Sequence, residues 1–428
     1  MSCTTKHLAA VLAILLIASA AAHAVTPALL IGPDLQPRQV MLQSFGGGKI
    51  TFFDSERTLQ IESTGKLLQL RFLEDAEKTE NESGAAAKPV APPPSTIAAA
   101  PGTKTINETA NLTKAPPAPQ PPQPPPPARL DLIDGQRLIA RWTGASDDGQ
   151  KLSFQHAALG KLSVNLDVVS RFMLDGTTVA GATPAYDRVL LSNGDAMEGF
   201  VAAIKAATID IQLGNAKPIA LPIDRVRGLV LANPLKAPQA PRNVIVLRDG
   251  SRLTSNTINI ESDKLSMTAQ LSGKEITLAL AQVARVELAS PQGRLVDLAE
   301  LPMKVDDGGE VFGLSLPPRV EGDVIRLHAP LTVTFELPEN ARRFAAVAEL
   351  DATGPGSEWA DFIVSIRAGG TQIARQAISH TQRSAAINAE LKGNALTFLL
   401  DPAGNGPVMD RLRLREAVIY IENKTESE

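Results

Sequence analysis

The sequence predicts an all-β protein, built of tandem small β-barrels followed by a jelly-roll β-sandwich. Three observations lead to this prediction. Short apolar segments with a two-residue alternation are separated by Asn-Gly and Asp-Gly turns. One such pattern recurs three times at near-constant spacing. No segment after the first 24 residues shows convincing helical periodicity.

Residues 1–24 are predicted to be a signal peptide. The stretch 8–22 is apolar, and Ala22-His23-Ala24 supplies the small-x-small pattern that precedes cleavage, expected before Val25. A transmembrane anchor is the alternative, but the apolar run is shorter than the roughly 20 residues that a spanning helix needs. We therefore expect a secreted or periplasmic protein with no integral membrane span after cleavage.

Composition argues against several classes of function. The chain has one cysteine, Cys3, and it falls within the expected signal peptide, which excludes disulfides and thiolate chemistry from the mature protein. A net charge of −4 and the lack of a basic stripe interleaved with aromatics argue against nucleic acid. His156, His328 and His380 lack metal-ligand spacing, and no nucleophile elbow or phosphate loop occurs, so no enzyme is expected.

The N-terminal part divides into a β element and a linker. Residues 25–76 contain strand-like segments around Gly46-Gly47-Gly48 and are interpreted as a degenerate or incomplete copy of the downstream repeat. Residues 77–128 hold no aromatic side chain and are rich in proline, which predicts a disordered, extended linker. A ligand for a proline-recognising domain is the alternative to a spacer.

Three repeats follow, at 129–178, 186–233 and 242–290. Their shared turn glycines, Gly135, Gly194 and Gly250, lie 59 and 56 residues apart (194 − 135 and 250 − 194). Each glycine follows an apolar strand and an Asp or Asn, so we expect it at the tip of the first hairpin. Units of about 50 residues with four or five short strands resemble the SH3-like or Sm-like barrel repeats of exported bacterial proteins.

Four other residues of the repeats carry expectations of their own. Arg171, Arg227 and Arg285 follow the closing strand of each copy and are interpreted as solvated or edge-capping charges. Trp142, just after the first hairpin, is expected in the core of the first barrel.

The last part of the chain, 293–424, is predicted to be the jelly-roll sandwich. Its phrases Leu295–Leu298, Phe344–Asp351, Phe362–Ile366 and Leu391–Asp410 resemble, in order, those of the NPCBM carbohydrate-binding modules of some bacterial glycoside hydrolases. Gly369 stands where that family has an Asp. The resemblance implies a galactose-binding-like jelly roll that binds carbohydrate. Turn-like residues before 293 predict that this domain folds alone.

Two groups of residues in this domain are candidates for binding. Trp359, flanked by Glu358 and Asp361, has the makeup of a sugar-stacking platform with hydrogen-bond acceptors beside it; packing in the core is the alternative. Three carboxylates at strand ends are candidate Ca²⁺ ligands, with turn formation as the alternative: Asp351, Asp401 and Asp410. No other cofactor is expected.

Two functions remain open from the sequence. The first is non-catalytic binding of a polysaccharide or cell-surface glycan by the C-terminal domain. The second is a structural or scaffolding role, in which the barrels dock protein partners and no sugar site exists. The two differ in the exposure of Trp359: a lectin-like surface needs an exposed ring, and a scaffold has it buried.

Overall fold

Short antiparallel strands carry the apolar side chains into two large cores, one in the repeats and one in the C-terminal sandwich. The computed structural model describes residues 25–73, 127–177, 183–236, 242–269, 273–351 and 356–423. Within those residues the regular elements are β-strands and three-residue 3-10 turns, which confirms the predicted all-β class. The expected signal peptide and nearly all of the expected linker lie outside the described residues.

Four five-stranded units precede the sandwich, here named unit N (25–73), unit 1 (127–177), unit 2 (183–236) and unit 3 (242–288). Unit N consists of β1 Thr26–Ile31, β2 Pro37–Gly46, β3 Lys49–Phe53, β4 Leu59–Ser63 and β5 Gln69–Phe72. Unit 1 consists of β6 Ala128–Leu132, β7 Arg137–Ala145, β8 Lys151–His156, β9 Gly160–Asn165 and β10 Val169–Met173. Unit 2 consists of β11 Asp187–Leu191, β12 Ala196–Ile204, β13 Thr208–Gln212, β14 Ile219–Pro222 and β15 Val226–Val230. Unit 3, whose second strand is divided in two, consists of β16 Asn243–Leu247, β17 Arg252–Ser255, β18 Ile258–Glu261, β19 Lys264–Ala269, β20 Lys274–Ala279 and β21 Val283–Glu287.

The long second strand organises each unit. Its first half pairs with the first strand and its second half with the third, and in units N, 1 and 2 a register shift in the second half bends it, as at Trp142/Gly144 in β7. The fifth strand returns beside the first, as β10 does beside β6. A 3-10 turn precedes that last strand in every unit: Thr64–Lys66, Leu166–Val168, Ile223–Arg225 and Leu280–Gln282. Each unit is therefore a small, strongly bent sheet, and the buried side chains of the four units form one continuous core.

The turn glycines of units 1, 2 and 3 occupy equivalent places. Gly135, Gly194 and Gly250 have φ of +85°, +94° and +90°. Each donates its N–H to the carbonyl three residues earlier, that of Leu132, Leu191 or Leu247, at 3.1, 3.1 and 3.0 Å. The loop of each hairpin holds three residues, and the glycine is the one with positive φ, as in a type I turn followed by a glycine bulge; glycine adopts this conformation without strain.

Unit N is complete, and not the degenerate copy that its sequence suggested. Its five strands pair in the same order as those of the other units. Its first hairpin lacks the Asp-Gly signal because the turn at 32–36 is wider, with Leu35 at φ +53°. The Leu35 side chain is buried against Leu295 and Tyr420 of the sandwich.

The units join through equivalent strands in antiparallel pairs. β5 of unit N pairs with β21 of unit 3, and β10 of unit 1 pairs with β15 of unit 2. β7 of unit 1 meets β17 of unit 3 at Arg137 and Arg252. That last contact is reciprocal: Ile139 N donates to Ser251 Oγ (2.9 Å), and Thr254 N donates to Gln136 Oε1 (3.2 Å). The order in space is therefore N–3–1–2.

The C-terminal domain is an antiparallel β-sandwich, as predicted. One sheet contains β22 Gly293–Asp297, β26 Arg319–Glu321, β27 Val324–His328, β29 Ala341–Leu350, β32 Ser384–Glu390 and β34 Arg411–Glu422. The facing sheet has the order β23–β28–β33–β30–β31, formed by β23 Met303–Gly308, β28 Leu331–Glu336, β30 Asp361–Ala368, β31 Thr371–Ser379 and β33 Ala395–Pro402. A short hairpin, β24 Glu310–Val311 and β25 Leu314–Ser315, follows β23, and 3-10 turns lie at Leu298–Glu300 and Ser357–Trp359.

Buried ion pairs fasten unit 3 to the sandwich. Arg252 contacts Glu287 at 2.9 Å and Asp297 at 3.2 Å, and Arg285 contacts the same two carboxylates at 3.2 and 2.9 Å. The four side chains are only 10–13% exposed. We call this group the junction cluster. It corrects the interpretation of Arg285 as a solvated charge, because its guanidinium is enclosed by carboxylates of both domains.

Candidate functional site

The connections at one end of the sandwich converge into a single surface, here called the loop end. The connection between β27 and β28, the segment before β30, the turn after β31 and the segment 403–410 all lie there, because these antiparallel strands begin or end at the same edge of their sheets. The sheets beneath are held by a core that includes Phe335, Phe344 and Phe398, whose rings meet edge to face at 5.7 and 5.8 Å. A rigid base thus carries exposed connections, the common arrangement for binding surfaces.

Trp359 projects from the loop end. It closes the 3-10 turn Ser357–Trp359, which begins after Gly356 at φ +94°, and its N–H donates to the Gly356 carbonyl at 3.0 Å. The next residue, Ala360, is buried in the sandwich core and anchors the turn. The Trp359 side chain itself is 59% exposed. The core-packing alternative is therefore wrong, and the ring is available for contact.

The segment 403–410 braces the Trp359 turn from the side. Asn405 Nδ2 donates to the Trp359 carbonyl at 3.3 Å. Asp410 Oδ1 accepts from the N–H of Asp361 at 2.9 Å, and Ala403 N donates to the Asp361 carbonyl, also at 2.9 Å. These bonds fix the backbone that carries the indole.

Asp410 is the buried acid of this site. Burial raises the pKa of its carboxyl to about 6; the Asp361 N–H opposes this rise, and the nearby Asp361 carboxylate adds to it. Its second oxygen, Oδ2, is buried and has no hydrogen-bond partner among the described residues. An ionised carboxylate in this position is incompletely satisfied, so the neutral acid is favoured as the pH falls towards 6.

The structure brings some of the predicted residues together and separates others. Glu358 and Asp361 flank Trp359 as expected, Glu358 exposed and Asp361 half-buried. The three candidate calcium ligands do not gather. Asp351 forms an ion pair with Arg326, Asp410 turns inward to Asp361, and Asp401 lies exposed on β33. In the described part of the chain no three His, Cys, Asp or Glu side chains are grouped to hold a metal.

A buried His-Ser-Asp group in the repeats escaped the sequence analysis. His156 Nε2 lies 3.0 Å from Ser251 Oγ and 3.1 Å from Asp249 Oδ2. Nδ1 accepts two backbone N–H groups, from Ala158 at 3.0 Å and Leu159 at 3.1 Å, so the ring proton resides on Nε2. The contacts with Ser251 and Asp249 are thus both made by the same ring nitrogen, Nε2. His156 and Ser251 are fully buried. This geometry clips unit 1 to unit 3 and does not activate a nucleophile.

Trp142 lies at the edge of the unit 1 core. It is partly buried and meets Phe172 edge to face at 5.9 Å, in agreement with the expectation of a packed ring. The other exposed aromatic rings of the units are Tyr186 and Phe200 in unit 2. No helix among the described residues has the length and apolarity needed to cross a membrane.

No protein-family model matches this chain, and no curated protein does. Solved structures do match. The CBM51 carbohydrate-binding module of Clostridium perfringens GH95, in complex with methyl-galactose, is 13% identical with a TM-score of 0.23; the match covers 29% of this chain and 99% of that one. The tandem CBM51 modules of a family 98 glycoside hydrolase from Streptococcus pneumoniae are 11% identical with a TM-score of 0.23, over 55% and 88%. An exo-β-1,3-galactanase from Phanerochaete chrysosporium is 11% identical with a TM-score of 0.18, over 67% and 64%. Because the TM-scores are low, function is inferred from the site geometry.

Proposed function

We propose that this protein is an exported, non-catalytic glycan-binding protein whose site is the loop end around Trp359. One observation carries the proposal: an indole that is 59% exposed stands on a backbone fixed by hydrogen bonds at the edge of a packed sandwich. An exposed aromatic face offers a flat apolar surface on which a ligand can pack. A sugar ring fits this face because its C–H side packs on the indole while its hydroxyls bond to flanking acceptors.

Two acceptors adjoin the indole in the chain. Glu358 is exposed, and Asp361 is half-buried at the start of β30. Carboxylates accept hydrogen bonds from hydroxyl groups and offer no fixed positive charge to an acidic ligand. The arrangement therefore suits neutral sugars. Because one shallow platform buries little area, we expect dissociation constants in the micromolar to millimolar range, about −4 to −8 kcal/mol.

The test is substitution of Trp359 by Ala in the full chain, with binding measured on a glycan array and by calorimetry. We expect binding to be lost while the melting temperature stays nearly unchanged, because an exposed ring contributes little to the core. Phe200→Ala is the matched control, since Phe200 is a similarly exposed aromatic (63%) in unit 2 and should leave binding intact. Retained binding by Trp359→Ala, or a stability loss of about 3–5 kcal/mol, would contradict the proposal.

A structural role for the barrels is the second candidate. The observation that favours it is the reciprocal pairing of equivalent strands between units, which makes the repeats a platform of continuous sheet. Such a platform supports the sandwich whether or not protein partners dock on it. The exposure of Trp359 favours the glycan proposal, since a scaffold alone needs no exposed indole.

A further inference from the structure

The hairpin β24–β25 presents the most exposed large apolar side chain of the described residues. Phe312, at its tip, is 80% exposed, and Leu314 beside it is 66% exposed. The hairpin pairs only with itself, through Glu310 with Ser315 and Val311 with Leu314. Neither core packing nor sheet pairing accounts for a phenyl ring at this place.

The backbone at the tip makes the phenylalanine more unusual. Phe312 and Gly313 are the two central residues of the turn, with φ of +52° and +75°. Both positions of such a turn need positive φ, and Asn or Asp is the usual first residue because its short side chain tolerates that conformation. A bulky side chain there is strained. Strained backbone positions cluster at sites that contact ligands.

The topology places this hairpin at the loop end. It follows the last residues of β23, and Gly309 N donates to the Pro330 carbonyl (3.0 Å), directly before β28 begins. Trp359 lies just before β30, and β30 belongs to the same sheet as β23 and β28. From β28 to β30 there are two strand intervals and from β23 to β30 three, which at about 4.8 Å each makes roughly 10–15 Å between the two anchor points.

We propose that Phe312 is a second aromatic contact for the glycan that Trp359 binds, and that the ligand is a stretch of neutral polysaccharide longer than one sugar ring. This inference rests on the proposed function and deepens it. The separation of the two anchors exceeds one pyranose ring, which favours a ligand of several sugars over a single one. A chain laid across the loop end reaches both.

The charges of the loop end favour a neutral chain over an acidic one. Its exposed charged side chains are mostly carboxylates, with Asp307, Glu310, Glu358 and Asp401 against Arg383 and Arg411. A polyuronate or sulfated glycan would place its own charges near like charges, which is unfavourable at short range. A neutral chain meets hydrogen-bond acceptors and two aromatic faces.

The test uses the full chain and six probes: soluble galactan, glucan and xylan, each with the methyl glycoside of its sugar. Phe312→Asn removes the ring and supplies the residue that the turn prefers, so the hairpin is retained. We expect wild type to bind at least one polysaccharide about tenfold more tightly than its methyl glycoside, a difference of ~1.4 kcal/mol per site. Phe312→Asn should erase that difference and leave the affinity for the methyl glycoside unchanged. Trp359→Ala should lose binding of both the polysaccharide and the methyl glycoside.

Leu314→Asn is the matched control, because it removes an exposed apolar side chain from the same hairpin without touching the ring; it should bind as wild type does. If Phe312→Asn keeps the full polysaccharide affinity while Trp359→Ala loses it, the inference is wrong and the proposed function stands. If Leu314→Asn loses as much affinity as Phe312→Asn, the phenyl ring has no special role and the inference is again wrong. If wild type binds none of the six probes, both fail.

Discussion

At the scale of single residues, the loop end combines an exposed aromatic with a buried acid. Trp359 could be proposed from sequence because it lies between two acids in a loop, although packing in the core was an open alternative. The state of Asp410 could not, because its burial and its bond to Asp361 depend on segments 49 residues apart. The same limit hid the His156 clip, whose partner Ser251 is 95 residues away. A sequence pattern identifies residues whose role depends on their neighbours in the chain. It does not show which residues are buried by segments distant in sequence.

The raised pKa of Asp410 predicts a dependence of stability on pH. The folded-state pKa, about 6, lies above the usual value of 3.8, so folding favours the protonated form. The associated stability is fully present below about pH 4 and is lost as the pH rises through about 6. Asp410→Asn keeps the acceptor for the Asp361 N–H and removes the charge. It should raise the free energy of unfolding at pH 7 by about 1–2 kcal/mol, a value smaller than the full pKa shift implies because nearby solvent screens the charge.

Urea unfolding of both proteins between pH 4 and 7 measures this effect. The wild-type stability should fall relative to that of Asp410→Asn over that range, and the two curves should converge at the acid end. Parallel curves across the whole range would show that Asp410 keeps an ordinary pKa.

At the scale of elements, the hairpin turns were the most predictable part of the fold. The Asp-Gly and Asn-Gly pairs identified three units, and the three glycines have φ within 9° of each other (94 − 85). Unit N was underestimated because its wider turn is used to dock Leu35 on the sandwich. The residues of this turn serve contact with the sandwich, so the Asp-Gly pair that marks the other units is absent from unit N. Its five strands are nevertheless present.

The turn glycines predict a cost that comes from backbone conformation alone. A Cβ placed on Gly194 meets no atom within 4 Å, so a substitution there causes no clash. Gly194→Val should still lower the free energy of unfolding by about 1–3 kcal/mol, because a β-branched residue is strained at φ +94°. Gly194→Asn, which tolerates positive φ better, should cost clearly less. Equal urea midpoints for the Val and Asn variants would show that the turn relaxes without strain.

At the scale of the whole molecule, the repeats and the sandwich form one compact unit. The sandwich has its own core, which keeps open the prediction that it folds alone. The junction cluster and the contact of Leu35 with Tyr420 and Leu295 tie it to units 3 and N. Sequence alone could not reveal this, since the arginines and acids of the cluster look like any charged surface residues until the partner domain encloses them.

The junction cluster predicts a large effect for one carboxylate. Asp297→Ala removes a contact from both Arg252 and Arg285 and leaves two enclosed guanidinium groups with fewer counter-charges. The expected loss is about 3–5 kcal/mol in urea unfolding. Asp323→Ala is the matched control, because Asp323 also pairs with Arg285 but is 47% exposed, and it should cost less than about 1 kcal/mol. Similar losses for the two variants would show that enclosure adds nothing.

The pairing of β5 with β21 has a consequence for how the polypeptide is connected. Unit N is joined to the other units by edge-strand hydrogen bonds as well as by the peptide chain, so backbone continuity between 73 and 127 is not what holds it in place. The chain is therefore expected to tolerate division between 73 and 127. We expect fragments 25–73 and 127–428, expressed separately, to reassociate into the intact fold, as native mass spectrometry of the mixture would show. Failure to recover a one-to-one complex would mean that unit N needs its covalent tether.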